Sequence, residues 1–198
     1  MALELTKYQR RALDRLKRFF DAARIAAPAD AFAASVAEGL SAQYKPMPGL
    51  ADVPYVCLRI PTGGGKTVMG AHIIQSAGRN LLDRELPLVM WMVPTTQIKT
   101  QTLEAFRDPR HPYRQELDDA FGGRVAVFDI ADFAQIRPAD IATKVCVVIS
   151  TVAALRVTDK EGRKVYEHHE DLETHFAGSA AQLDYLDHDD DDRVKASF

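Results

Sequence analysis

Residues 59–67 read Arg-Ile-Pro-Thr-Gly-Gly-Gly-Lys-Thr, and the interpretation of this stretch decides the fold. Three successive glycines, Gly63, Gly64 and Gly65, can take backbone angles barred to other residues, so consecutive N–H groups can turn inward around an anion. Lys66 then supplies a mobile positive charge for the β- and γ-phosphates of a nucleotide, and the Thr67 hydroxyl suits Mg²⁺. A helix starting at Lys66 would aim its positive end at the same place. The flanks agree: Tyr-Val-Cys-Leu-Arg-Ile at 55–60 is strand-like, and Val68, Met69, Ala71, Ile73 and Ile74 recur at helical spacing. A glycine-rich surface turn with a chance lysine would leave both flanks unexplained. The spacing departs from Gly-x-x-x-x-Gly-Lys-Ser/Thr at one position, where Ile60 stands in place of the first glycine.

Outward from the loop, strands and helices alternate. A helix is expected from 66 to about 78, a strand at 88–93 (LVMWMV), a helix from 96 to about 106, and strands at 124–128 (RVAVF) and 144–150 (KVCVVIS). The strands are continuously apolar rather than alternating, the pattern of a parallel sheet covered on both faces by helices. Upstream, Tyr8, Ala12, Leu13, Leu16, Phe19, Phe20 and Ala23 share one helical face, and Arg10, Arg11, Arg15, Lys17 and Arg18 fill the rest. Residues 28–54 read as an insertion or linker, a short alanine-rich helix followed by an irregular proline-containing connection. After Thr151 the pattern fades, with a hairpin expected at Asp-Lys-Glu-Gly and then an acidic tail. The organisation is therefore one domain: a helix at 1–27, an insertion at 28–54, an α/β core at 55–156, and a hairpin with acidic tail at 157–198.

The 198 residues carry a formal net charge of −3. Residues 167–192 hold ten Asp/Glu and no Lys/Arg, which leaves residues 1–166 at +5. A mildly basic body suits a phosphate-backbone partner without demanding one. No stretch approaches the ~20 apolar residues of a membrane span, and the N-terminus is amphipathic rather than signal-like, so a soluble, cytoplasmic protein with no membrane partner is expected. Cys57 and Cys146 each fall in an expected buried strand and read as small core residues. His168, His169, His175 and His188 near the acidic run match no ligand frame, and a solvated acidic segment accounts for them.

Further motifs line up in order. Leu5-Thr6-Lys7-Tyr8-Gln9 opens the first helix, and the Gln9 amide can donate and accept at once, as an adenine edge requires. Pro94, Thr95 and Thr96, followed by Gln101 and Thr102, come directly after a core strand; hydroxyls and helix N-terminal N–H groups there can hold phosphate oxygens. By residue chemistry alone a proline-led, threonine-capped helix start explains the same residues. Ser150 and Thr151 close another strand, and Gly122-Gly123 reads equally as a backbone contact or a tight turn.

Pro61-Thr62-Gly63-Gly64-Gly65-Lys66-Thr67 resembles motif I of superfamily 2 DEAD/DEAH-box helicases and translocases without a gap. Gln9 resembles their glutamine motif, Pro94, Thr95, Thr96 and Gln101 their motif Ia, and Ser150 and Thr151 their motif Ib. The match runs over about residues 5–151 and is similar to the helicase/UvrB N-terminal family, which includes the large (Res) subunit of type III restriction enzymes. The resemblance implies a RecA-like lobe that binds ATP and Mg²⁺ through Gln9, Pro61, Thr62, Gly63, Gly64, Gly65, Lys66 and Thr67, with Lys66 and Thr67 catalytic and Thr67 on the metal. It implies sequence-independent contacts to a DNA backbone from motifs Ia and Ib, and a partner in the C-terminal lobe of the motor or a modification subunit. The family's metal carboxylate lies in an Asp-Glu motif after motif Ib, and the dipeptide Asp-Glu occurs nowhere in the 198 residues. The expectation is thus a lobe incomplete at its C-terminal side, truncated before motif II and inactive in hydrolysis. A non-catalytic nucleotide- or partner-binding module is the alternative. A small-molecule kinase shares the loop but leaves Gln9 and Pro94-Thr95 unexplained.

Overall fold

The computed structural model describes residues 4–36 and 42–155; the expected hairpin, the acidic tail and the four histidines beside it lie outside them. The chain divides into two compact units, one from residues up to 87 together with 109–123, the other from 88–108 together with 124 onward.

In the first unit, α1 (Lys7–Ala23) buries Leu16, Phe19 and Phe20, the apolar stripe anticipated from its spacing. These residues and Ala31 of α2 (Pro28–Ser35) form a core with Phe19 edge-on to Phe32 at 5.9–6.4 Å ring separations along Phe20, Phe19 and Phe32. α3 (Lys66–Asn80) buries Val68, Met69, Ala71 and Ile74, and α5 (Pro112–Phe121), with Leu117 and Phe121 buried, packs on it. α5 stops because Gly122 and Gly123 are both left-handed, at φ 61° and 73°, and the Gly123 N–H returns to the Asp118 carbonyl at 2.9 Å. The glycine pair is a helix stop.

The expected strand at 55–60 is a correction. These residues are assigned to no strand, and their burial alternates, with Val56, Leu58 and Ile60 half-buried and Tyr55, Cys57 and Arg59 exposed. Val56 and Leu58 lie against the α1–α2 core, but no described strand pairs with the segment, and a run becomes a strand only through a ladder partner. Cys57 is accordingly exposed, not a core residue.

The second unit is a three-stranded, wholly parallel sheet, order β1-β3-β2, flanked by helices: an α/β architecture. β1 (Leu88–Val93) has the bounds anticipated from sequence, while β2 (Val125–Asp129) and β3 (Val145–Thr151) start and end one residue later than anticipated. All seven residues of β3 are buried because it lies between the other two. The pleat sends Cys146 and Val148 toward Phe133 of a 3-10 turn (Ile130–Gln135) and Ile136 and Ile141, the last on α6 (Pro138–Thr143). Opposite lies α4 (Thr96–Arg107), whose fully buried Phe106 meets Trp91 edge-on at 5.1 Å. Burial pushes the Cys146 thiol up to about 11, Asp140 adding to the rise and Lys144 opposing it, so this cysteine is an inert core group. α7 (Val152–Leu155) follows β3.

Candidate functional site

The start of α1 grips the glycine turn. The Thr6 N–H donates to Gln9 Oε1 at 2.7 Å, and Gln9 Nε2 donates in turn to the Gly64 carbonyl at 2.9 Å. The Tyr8 hydroxyl donates to the same carbonyl at 2.7 Å. Gln9 is only 7 % exposed, so its first task is to tie the helix start to the loop. The Tyr8 contact is not announced by the sequence, where the residue stands on an apolar helix face and beside Gln9 without a role of its own, yet it is 45 % exposed, with its hydroxyl on the loop.

The loop has the shape its glycines permit. Gly63 and Gly65 are left-handed, at φ 75° and 74°, and the Gly64 N–H closes a turn onto the Pro61 carbonyl at 3.0 Å. Pro61, Thr62, Gly63 and Lys66 are exposed, and Thr67 is half-buried. Gly65 caps α3 without a side chain, and no acidic residue occupies the helix's first turn, which leaves its positive end open to an anion. Lys66 Nζ meanwhile donates to the Pro61 carbonyl at 3.0 Å, a surface contact that a phosphate oxygen could replace. The donor set therefore fits a polyphosphate. For a divalent cation, the loop offers only the hydroxyl side chains of Thr62 and Thr67, and the described residues contain no cluster of three His, Cys, Asp or Glu arranged for a metal.

A Cβ on Gly65 would lie 2.6 Å from Gln9 Nε2. Gly65→Ala should therefore break the Gln9–Gly64 contact as well as strain a left-handed backbone, a penalty of roughly 1–2 kcal/mol for the backbone alone. The measurement is a paired thermal melt, with Gly63→Ala as comparison, since a Cβ there meets nothing within 4 Å. Equal melting of the two variants would dismiss the clamp.

Further along α3, His72 Nε2 lies 3.3 Å from Glu116 Oε2 of α5, an ion pair when the imidazole is protonated. Their 44-residue separation hid this contact from sequence reasoning.

In the second unit the strand register sets Val93 beside Thr151, so Pro94, Thr95 and Thr96 emerge at the same end of the sheet as Thr151. Thr95 is the N-cap of α4, its hydroxyl accepting from the Ile98 N–H at 3.3 Å. Pro94, Thr95, Thr96 and Gln101 are exposed. Ser150 does not share that exposure: it is fully buried, with its hydroxyl donating to the Thr151 carbonyl at 3.2 Å. Thr151, 7 % exposed, accepts from the Ala154 N–H at 3.1 Å. Met92, Ile98 and Val152 are exposed apolar residues on these same elements.

Lys99 of α4 reaches both carboxylate oxygens of Asp129, at 2.8 and 2.7 Å, where β2 ends. Burial alone would raise the Asp129 carboxyl. Hydrogen bonds from Lys99 and the Ala131 N–H, with the Lys99 and Arg107 charges, outweigh it and hold the group below the usual carboxylate range.

A family model described as type III restriction enzyme, res subunit, matches residues 2–178. No curated protein and no solved structure matches the chain. No described helix is long and apolar enough to cross a membrane.

Proposed function

Because the chain belongs to the type III restriction enzyme res subunit family, we propose that it is the ATP-binding, RecA-like lobe of a superfamily 2 DNA helicase or translocase. The observation that carries this reading is the 61–67 turn, with left-handed Gly63 and Gly65, an uncapped helix start behind it and a carbonyl held by Tyr8 and Gln9.

In this proposal the N–H groups of Gly63, Gly64 and Gly65 and the first turn of α3 bind the phosphates, and Lys66 leaves Pro61 to neutralise their outer oxygens. Thr67 would hold Mg²⁺, which when bound supplies charge neutralisation on the phosphates. Gln9 retains one amide hydrogen and one Oε1 lone pair beyond its two contacts, and these are assigned to the adenine edge. Pro94, Thr95, Thr96, Gln101 and Thr151 are assigned to a DNA backbone, with Ser150 supporting them from within the sheet. Residues 55–156 would be the core of the lobe, 28–54 an insertion, and a second lobe or a modification subunit the partner.

The missing Asp-Glu dipeptide favours a second reading, a nucleotide-binding module without turnover. Two measurements on the 198-residue chain separate the readings. A motor lobe binds both Mg-ATP and a labelled single-stranded oligonucleotide, whereas a nucleotide sensor binds only the first. Phosphate release should stay at background with or without DNA, because electrostatic stabilisation of the transferring phosphoryl group lacks its carboxylate. Robust DNA-stimulated release would place a complete catalytic set within these residues and replace the lobe reading.

A further inference from the structure

The positive excess of the chain's body is concentrated on one helix. Residues 1–166 carry +5, and α1 alone, with six Lys/Arg against two Asp, carries +4. Arg11, Arg15 and Arg18 fall in a single row along α1, spaced four and then three residues apart, so the rise per residue separates their positions by about 6 and 4.5 Å along the axis. All three are exposed, and none forms an ion pair among the described residues. Asp14 stands at pairing distance in sequence from both Arg11 and Arg18, yet makes no ion pair with either. Lys17, by contrast, is neutralised by Asp21 at 2.8 Å. The arginines instead line, together with Asp14, a groove of about 270 Å³ that is completed by the end of α2 at Ser35 and Val36.

Like charges at i,i+4 and i,i+3 work against the helix that bears them, and the apolar core of α1 faces the other way. The row therefore contributes little to folding. Its chemistry is specific nonetheless: each guanidinium offers a planar fork matched to two phosphate oxygens, and three in series meet a chain of phosphates rather than one anion. The Ser35 hydroxyl is engaged with the Ala31 carbonyl at 2.7 Å, so the charged groups of the groove are the three guanidinium groups and the single Asp14 carboxylate, which leaves it net positive.

We propose that Arg11, Arg15 and Arg18 form a contact track for the phosphate backbone of a nucleic-acid strand, distinct from the threonines that follow β1 and end β3. This inference requires neither nucleotide binding at residues 61–67 nor DNA binding at residues 94–96. Its test is the salt dependence of binding between the whole chain and a fluorescein-labelled 20-mer of deoxythymidylate, followed by anisotropy. Replacing the three arginines with Gln should lower the slope of log K against log salt by about 2, since each single-strand phosphate contact contributes about 0.7, and should weaken binding roughly tenfold at low salt. Changing Lys45, Arg79 and Arg84 to Gln removes the same charge elsewhere on the first unit and should leave most of the slope intact. The triple Arg→Lys variant should also retain it. An equal loss in the Lys45/Arg79/Arg84 variant reduces the effect to net charge, and an equal loss in the Arg→Lys variant reduces it to structure; either result, or an unchanged slope in the Gln variant, overturns the proposal. Thr96→Ala removes a neutral phosphate contact and no cation, so if the strand-end contacts exist it should weaken binding while the slope stays the same; this separates failure of the track from failure of the strand-end contacts. Displacement of the oligonucleotide by poly-glutamate at equal charge concentration would assign the row to acidic polypeptides instead.

Discussion

Lys66→Ala abolishes measurable Mg-ATP binding in calorimetry under conditions where the unaltered chain gives a complete isotherm. Lys66 Nζ holds only the exposed Pro61 carbonyl, so its removal disturbs no buried contact and the variant should fold and melt as the parent does. What disappears is the one mobile cation of the loop, at the entrance to an otherwise uncapped helix. A charge-assisted hydrogen bond contributes about 1.5–3 kcal/mol, and an ammonium between two phosphates makes more than one, so the loss is on the order of 100-fold in affinity. Lys45→Ala, exposed on the irregular connection, serves as the charge control and should bind as before. Equal isotherms for Lys66→Ala and its parent would remove the phosphate-loop assignment while leaving the family assignment untouched.

Phe106→Ala should be the most damaging single change in the second unit. The ring is fully buried between α4 and the sheet and meets Trp91 at an interplanar angle of 79°. Deleting a buried phenylalanine ring costs about 3–5 kcal/mol, because the lost transfer energy is joined by a cavity that the surroundings fill only partly. Set against a typical total of about 5–15 kcal/mol, this is enough to lower the melting temperature by many degrees. Ile98→Ala, eight residues earlier on the same helix and 40 % exposed, should move it little. A Phe106→Ala melt indistinguishable from that of Ile98→Ala would show that α4 does not anchor the sheet.

The parts of the fold that could be read in advance are those with a local cause. Leu88–Val93 is an unbroken apolar run between two prolines, Val145–Thr151 opens with five apolar residues before Ser150 and Thr151, and both are strands whose ends fall within a residue of expectation. Lys66–Asn80 follows a glycine stop and repeats its apolar residues at helical period, and α1 does the same over a longer span. The glycine turn was legible because left-handed backbone is a property of the residue itself, as Gly63 and Gly65 bear out. Short helices were less so: α5 and α6 each begin at a proline and run for ten and six residues, too few turns to stand out from a loop by periodicity.

The apolar periods, the conformational freedom of the glycine turn and the parallel α/β class are each encoded in short runs of neighbouring residues, and the charge asymmetry follows from composition alone. Four features follow from long-range packing instead: β3 lies between β1 and β2, residues 55–60 form no strand, Cys57 is exposed and Ser150 buried, and Tyr8 and Gln9 share the Gly64 carbonyl. The physical reason is common to all four. A strand exists only when another strand completes its hydrogen bonds, burial depends on which element covers a face, and a side chain's partner is whatever the fold carries to it, here from 55 or 56 residues away.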